Sequence, residues 1–105
     1  MVDKNQEFKD RIYRFTLRLI KFLGSVQRDL ITKEIISQLM RSGTSIGANY
    51  FEAQSASSKK DFINYFNHAL KSANESVFWI NLLINGNLVQ ANLLNECRLI
   101  LKETE

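Results

Sequence analysis

Apolar side chains recur along this chain in steps of three and four, and that period dictates α-helices. Over about residues 6–23 the stripe is Phe8, Ile12, Phe15, Leu19 and Phe22, one face of a helix that Gly24-Ser25 closes. A second helix is predicted over about 29–55, with Asp29 as N-cap and the stripe Ile31, Ile35, Leu39, Ser42, Ile46, Tyr50 and Ala53. Gly43 and Gly47 fall inside it, each costing up to ~1 kcal/mol relative to Ala. The period nevertheless crosses both unbroken, and the small residues from Ser42 to Ala48 let a neighbouring backbone come close. Ser58, with Asp61 three residues on, has the form of a capping box. It opens a third helix over about 58–85, with Phe62, Phe66, Ala69, Ala73, Val77, Ile80 and Ile84 on one face. Gly86 in Asn85-Gly86-Asn87 is its expected C-cap. A fourth helix, about 89–102, uses Val89, Leu93, Cys97 and Ile100.

Short connections between long helices favour antiparallel neighbours, so the pattern predicts an all-α fold. It is an up-and-down antiparallel four-helix bundle in a single domain, 1–105, and a three-helix core with a loosely docked fourth helix is the alternative. Composition narrows this further. The chain has no proline and only four glycines, which leaves an all-β fold without its turns. Hydrophobic residues make up 45% and charged residues 24%, a globular balance rather than a disordered one.

Net charge is +3, and it is unevenly spread. Through Arg28 there are seven Lys and Arg against three acids, so this segment carries +4 and the rest of the chain −1. The first helix holds a basic stripe, Arg11, Arg14, Arg18 and Lys21, which is either a solvated face or a contact for phosphate or an acidic protein. On a wheel at ~100° per residue, Tyr13, Leu17 and Ile20 form a second apolar patch, well away from the Phe8/Ile12/Phe15/Leu19 stripe. An outer helix of a monomer needs one apolar face, so Tyr13, Leu17 and Ile20 are candidates for an oligomer interface.

The middle of the chain carries polar stripes. Arg41, Ser45, Asn49 and Glu52 share one face of the second helix, and His68, Ser72, Glu75 and Trp79 one face of the third. If these faces meet, the groups must satisfy one another, as a network that fixes register or lines a subunit interface. A ligand or RNA site is the alternative.

Catalytic and metal chemistry find little support. A di-iron bundle needs Glu-x-x-His pairs, and His68 is the only histidine. Cys97 is the only cysteine, so no intrachain disulfide forms and no zinc set can be assembled. Ser72, His68 and Glu75 suggest a triad only on paper, with no oxyanion hole. No metal or other cofactor and no small-molecule substrate is expected. The polar stretch Met1 to Asp10 has no apolar signal core, and no apolar run reaches the ~18 residues of a membrane span. A cytoplasmic protein that does not meet a membrane is expected.

Three segments carry a resemblance. Arg41-Ser42-Gly43-Thr44-Ser45-Ile46-Gly47-Ala48-Asn49-Tyr50-Phe51-Glu52-Ala53 resembles the R-x-x-x-S-I-P-x-N-I-x-E-G signature of the 23S rRNA intervening-sequence proteins, or four helix bundle proteins. Ser58-Lys59-Lys60-Asp61-Phe62 is similar to that family's S-K-K-E/D-F helix start, and Ala69-Leu70-Lys71-Ser72-Ala73-Asn74-Glu75 to its A-x-G-S-x-x-E segment. Gly47 stands where the family usually has Pro, and Ala53 and Lys71 where it usually has Gly. The resemblance implies a non-enzymatic bundle that assembles into a ring, often a pentamer, with Arg41, Ser45, Asn49, Glu52, Ser72 and Glu75 as signature polar residues. A related branch serves diversity-generating retroelements as an accessory protein that binds a reverse transcriptase and nucleic acid. The leading expectation is therefore a homo-oligomer that binds RNA or a ribonucleoprotein partner, with Arg11, Arg14, Arg18, Lys21, Lys59 and Lys60 as candidate phosphate contacts. A protein-interaction scaffold without nucleic-acid binding is the alternative, and a small-ligand binder or enzyme using the polar cluster the third.

Overall fold

The structure, a computed structural model, describes residues 4–104, apart from the Asn5 side chain. Met1, Val2, Asp3 and Glu105, which the predicted span 1–105 includes, lie outside the described residues. Four α-helices follow one another: α1 (Lys4–Ser25), α2 (Leu30–Gln54), α3 (Lys59–Asn85) and α4 (Leu94–Thr104), the last preceded by a 3₁₀ turn, Ala91–Leu93. They form the up-and-down bundle that the periodicity predicts, and no strand occurs among the described residues.

The helix starts are set by local chemistry. Asp29 adopts extended backbone and its carboxylate accepts from the N–H groups of Ile31 (3.0 Å) and Thr32 (2.8 Å), satisfying two donors that the first turn leaves open. Ser58 Oγ likewise accepts from Asp61 N–H at 3.1 Å. Gly86 is the C-cap of α3, but its φ is −86°, and the left-handed residue is Asn87 at φ 54°. Asparagine visits that region because its short side chain tolerates it. α4 starts later than predicted, because Gln90 is engaged elsewhere. Its side chain accepts from Gln27 N–H (3.2 Å) and donates to the Ser25 carbonyl (3.3 Å), tying the α3–α4 connection to the end of α1.

The core is built on Phe15, Leu19, Phe22 and Leu23 of α1, Ile36 and Leu39 of α2, Ile80 and Leu83 of α3, and Cys97 and Ile100 of α4. Three stripe positions depart from expectation: Phe8, Ile31 (68% exposed) and Phe62 lie at the surface. On α2 the buried set begins one residue later, at Thr32 and Ile36. Flanking helices on two sides of α2 broaden its buried face, and Ile31 falls outside that arc.

The glycines of α2 explain how α1 approaches. A Cβ on Gly43 would fall inside the envelope of the Leu19 side chain, which is fully buried. One turn on, a Cβ on Gly47 would sit 3.2 Å from Ile12 and 3.5 Å from Thr16. α2 and α3 make the most extensive pairing in the fold, and a buried hydroxyl chain crosses it. Ser76 donates to the Ser72 carbonyl at 2.8 Å, which leaves the Ser76 oxygen to accept from Ser42 at 2.8 Å.

Candidate functional site

α1 is amphipathic twice over, and its two outer faces have different fates. Toward α4, Arg18 meets Glu96 in a two-pronged pair, Nε on one carboxylate oxygen and Nη2 on the other at 3.1 Å. The hydrogen bond from Arg18 holds the Glu96 carboxyl below its usual range, and the nearby positive charge of Lys21 adds to this. In return the Arg18 pKa is raised, chiefly by that hydrogen bond, with Glu103 contributing. One turn pair further down α1, Arg11 and Glu103 border the same groove. Arg18, a candidate phosphate contact in the sequence, is thus committed to an intramolecular partner 78 residues away. Arg14 and Lys21 are exposed, as are Lys59 and Lys60 in the first turn of α3.

Away from α4, the patch Tyr13, Leu17 and Ile20 is exposed by 59%, 52% and 41%. It continues onto α2. Tyr13 and Phe51 border a shallow trough floored by Thr16, Thr44, Gly47 and Ala48. The absence of a side chain at Gly47 keeps that floor low. Lys9 caps the Phe51 ring, its ammonium 4.7 Å from the centroid, a cation–π contact that covers apolar surface with charge. Neither Phe51 nor Glu96 stands out in the sequence, since each matters only through a neighbour on another helix.

The polar stripes of α2 and α3 keep their hydrogen bonds to themselves. Ser45 donates to the Arg41 carbonyl (2.7 Å) and Asn49 to the Ser45 carbonyl (2.9 Å). Glu75 accepts from Trp79 at 3.3 Å, within α3. Arg41, Glu52 and Glu75 are exposed, and Ser45, Asn49 and Ser72 half-buried. Among the described residues no side-chain hydrogen bond joins one stripe to the other. The polar link between these helices is Ser42–Ser76 instead, one position off each stripe.

His68 is exposed, and Cys97 sits in the core, where burial pushes its thiol up to about 11. A thiol so placed stays protonated and unreactive at neutral pH. No group of three His, Cys, Asp or Glu side chains that could hold a metal ion comes together among the described residues. None of the described helices is long and apolar enough to cross a membrane.

The family model for the 23S rRNA-intervening sequence protein matches residues 4–105. A crystal structure of a protein of unknown function from the S23 ribosomal protein family of Bacteroides thetaiotaomicron VPI-5482 is 38% identical. It superimposes with a TM-score of 0.73 over 91% of this chain and 89% of its own. No protein with a curated description matches.

Proposed function

The chain belongs to the 23S rRNA-intervening sequence protein family, and from that premise we propose that it is a non-catalytic, self-associating subunit that binds RNA or a ribonucleoprotein partner through a basic surface. The observation that carries this reading is on α1, where the exposed patch Tyr13/Leu17/Ile20 lies beside two exposed cations, Arg14 and Lys21. Burying the patch against a second copy removes three large apolar side chains from water, at roughly 25 cal/mol for each Å² covered. The same contact brings an Arg14/Lys21 pair to every subunit boundary. A closed ring, as the family resemblance implies, multiplies that pair around its edge, and a weak phosphate contact becomes a strong one through avidity.

The test joins both halves. Molar mass by light scattering is measured for the protein and for Leu17→Glu, and both are titrated with a structured RNA. The reading requires a multimer that Leu17→Glu reduces to monomer, with RNA affinity falling in step. A monomeric wild-type protein, or a monomeric variant that binds RNA undiminished, contradicts it.

A further inference from the structure

α1 and α3 stand diagonally in the bundle, since each packs against α2 and α4. Their outer faces therefore point in opposite directions, and both carry apolar side chains that no described helix covers. On α1 these are Tyr13, Leu17 and Ile20. On α3 they are Phe78, 56% exposed, and Leu82, 37%. Both neighbours of α3 are already in place along this stretch. α2 joins it through Ser42 and Ser76, and α4 joins Ile80 and Leu83 in the core through Cys97 and Ile100. Phe78 packs edge-on against Trp79, with ring centroids 5.0 Å apart, and Trp79 in turn donates to Glu75. An outward aromatic held in this way has the form of an interface anchor.

Charge marks the same face of α3. From Phe62 to Asn85, Lys71 and Glu75 are the only Asp, Glu, Lys or Arg residues, in a chain that is 24% charged. Asn67 and Asn74 share the exposed outer face with Phe78. Loss of charge around exposed aromatics distinguishes the centre of a protein–protein contact from ordinary surface. The lysine that remains has a counterpart on α1. Lys71 stands seven residues before Phe78 and Asp10 seven before Leu17, so each shares a face with its apolar neighbour, and both are exposed. α1 and α3 run the same way in an up-and-down bundle. When Leu17 of one copy is set against Phe78 of the next with the helices parallel, Asp10 falls opposite Lys71. Resting on the reading of the α1 patch as a self-association surface, we propose that its mate is the outer face of α3 in a second copy, Leu17 against Phe78 and Asp10 against Lys71. A two-fold contact pairs a face with itself and covers one of the two faces. This heterologous contact covers both, each copy giving α1 on one side and α3 on the other.

Molar mass is measured by light scattering for the wild-type protein, for Leu17→Glu, for Phe78→Asp and for an equimolar mixture of the two variants. Each variant alone is monomeric and keeps its melting transition, since both side chains are more than half exposed. The mixture forms a dimer that grows no further, because one intact α1 face meets one intact α3 face. Asp10→Lys sets two lysines opposite each other and weakens assembly at least about tenfold, and adding Lys71→Asp restores it. The proposal is overturned if Phe78→Asp assembles like the wild type, which makes the contact α1 against α1, or if the mixture stays monomeric. It is also overturned if the Asp10→Lys/Lys71→Asp double variant assembles no better than Asp10→Lys alone. Self-association through the α1 patch fails separately. A monomeric wild type ends it, whereas a Phe78→Asp that assembles normally leaves it standing and removes only its mate on α3.

Discussion

Arg18 reaches across to Glu96 and grips it with two nitrogens, so one member of an apparently uniform basic stripe is internal structure. Both side chains are more than one-third exposed, and exposed pairs of this kind contribute roughly 0.2–1 kcal/mol. Arg18→Ala should therefore lower stability by less than about 1 kcal/mol. The same change should speed amide exchange selectively in α4, read by hydrogen-exchange mass spectrometry. Equal acceleration in all helices would show that the pair does not specifically secure α4.

The pH dependence has a definite sign. Glu96 and Asp29 both titrate lower in the folded chain than in the unfolded one, Glu96 through Arg18 and Asp29 through the N–H groups it caps. Their contributions are fully present above the ordinary carboxylate range and disappear as pH falls through the lowered values. Thermal melts should show Tm level near neutrality and falling in acid, with the fall shallower in Asp29→Asn, whose cap does not ionise. An identical acid limb in that variant would remove Asp29 from the account.

Gly43 and Gly47 separate packing from helix propensity. Alanine gains up to ~1 kcal/mol of propensity at either site, but at Gly43 it collides with a fully buried Leu19. Overpacking of a fixed core costs typically 1–3 kcal/mol, so Gly43→Ala should be destabilising on balance in a denaturant titration. At Gly47 the neighbours stand 3.2 Å and 3.5 Å away, and Gly47→Ala should be close to neutral. A stabilised Gly43→Ala would mean that α1 is not seated against that glycine.

The hydroxyl chain Ser42–Ser76–Ser72 predicts non-additivity. Ser76→Ala leaves the buried Ser42 hydroxyl with only a long 3.4 Å contact to the Leu39 carbonyl, a loss of about 1–3 kcal/mol. Ser42→Ala costs less, because Ser76 keeps its bond to the Ser72 carbonyl. The double variant removes the orphaned Ser42 hydroxyl as well, so in chemical denaturation it should be no more destabilised than Ser76→Ala alone and well short of the sum of the two single effects. Simple addition of the two single effects would show that the hydroxyls are not coupled.

What the sequence made legible is what short-range chemistry controls. Asp29 and Ser58 announce their helices because a cap acts within three residues. Leu19, Leu39 and Ile80 announce the core because helical period acts within a few turns. The start of α4 was not legible, since Gln90 is held by Ser25 and Gln27, more than sixty residues away. Nor was the fate of Arg18, which looks like Arg14 until Glu96 is set beside it. The slip from Ile31 to Thr32 has the same origin, because two neighbouring stripes on α2 are both plausible and only the flanking helices choose. The family signature pointed to Ser45, Asn49 and Ser72, whereas the hydroxyl chain that crosses α2 and α3 starts one position away, at Ser42, and runs through Ser76.

Arg14 and Lys21 are the exposed cations beside the α1 patch, and one titration addresses them. A labelled structured RNA is followed by fluorescence anisotropy against the wild-type protein and against Arg14→Glu/Lys21→Glu, across a salt series. Phosphate contacts release counterions, so the account predicts binding that weakens steeply with salt and is lost in the double variant while the fold is retained. Absence of binding at low salt, or equal binding by the double variant, would contradict it.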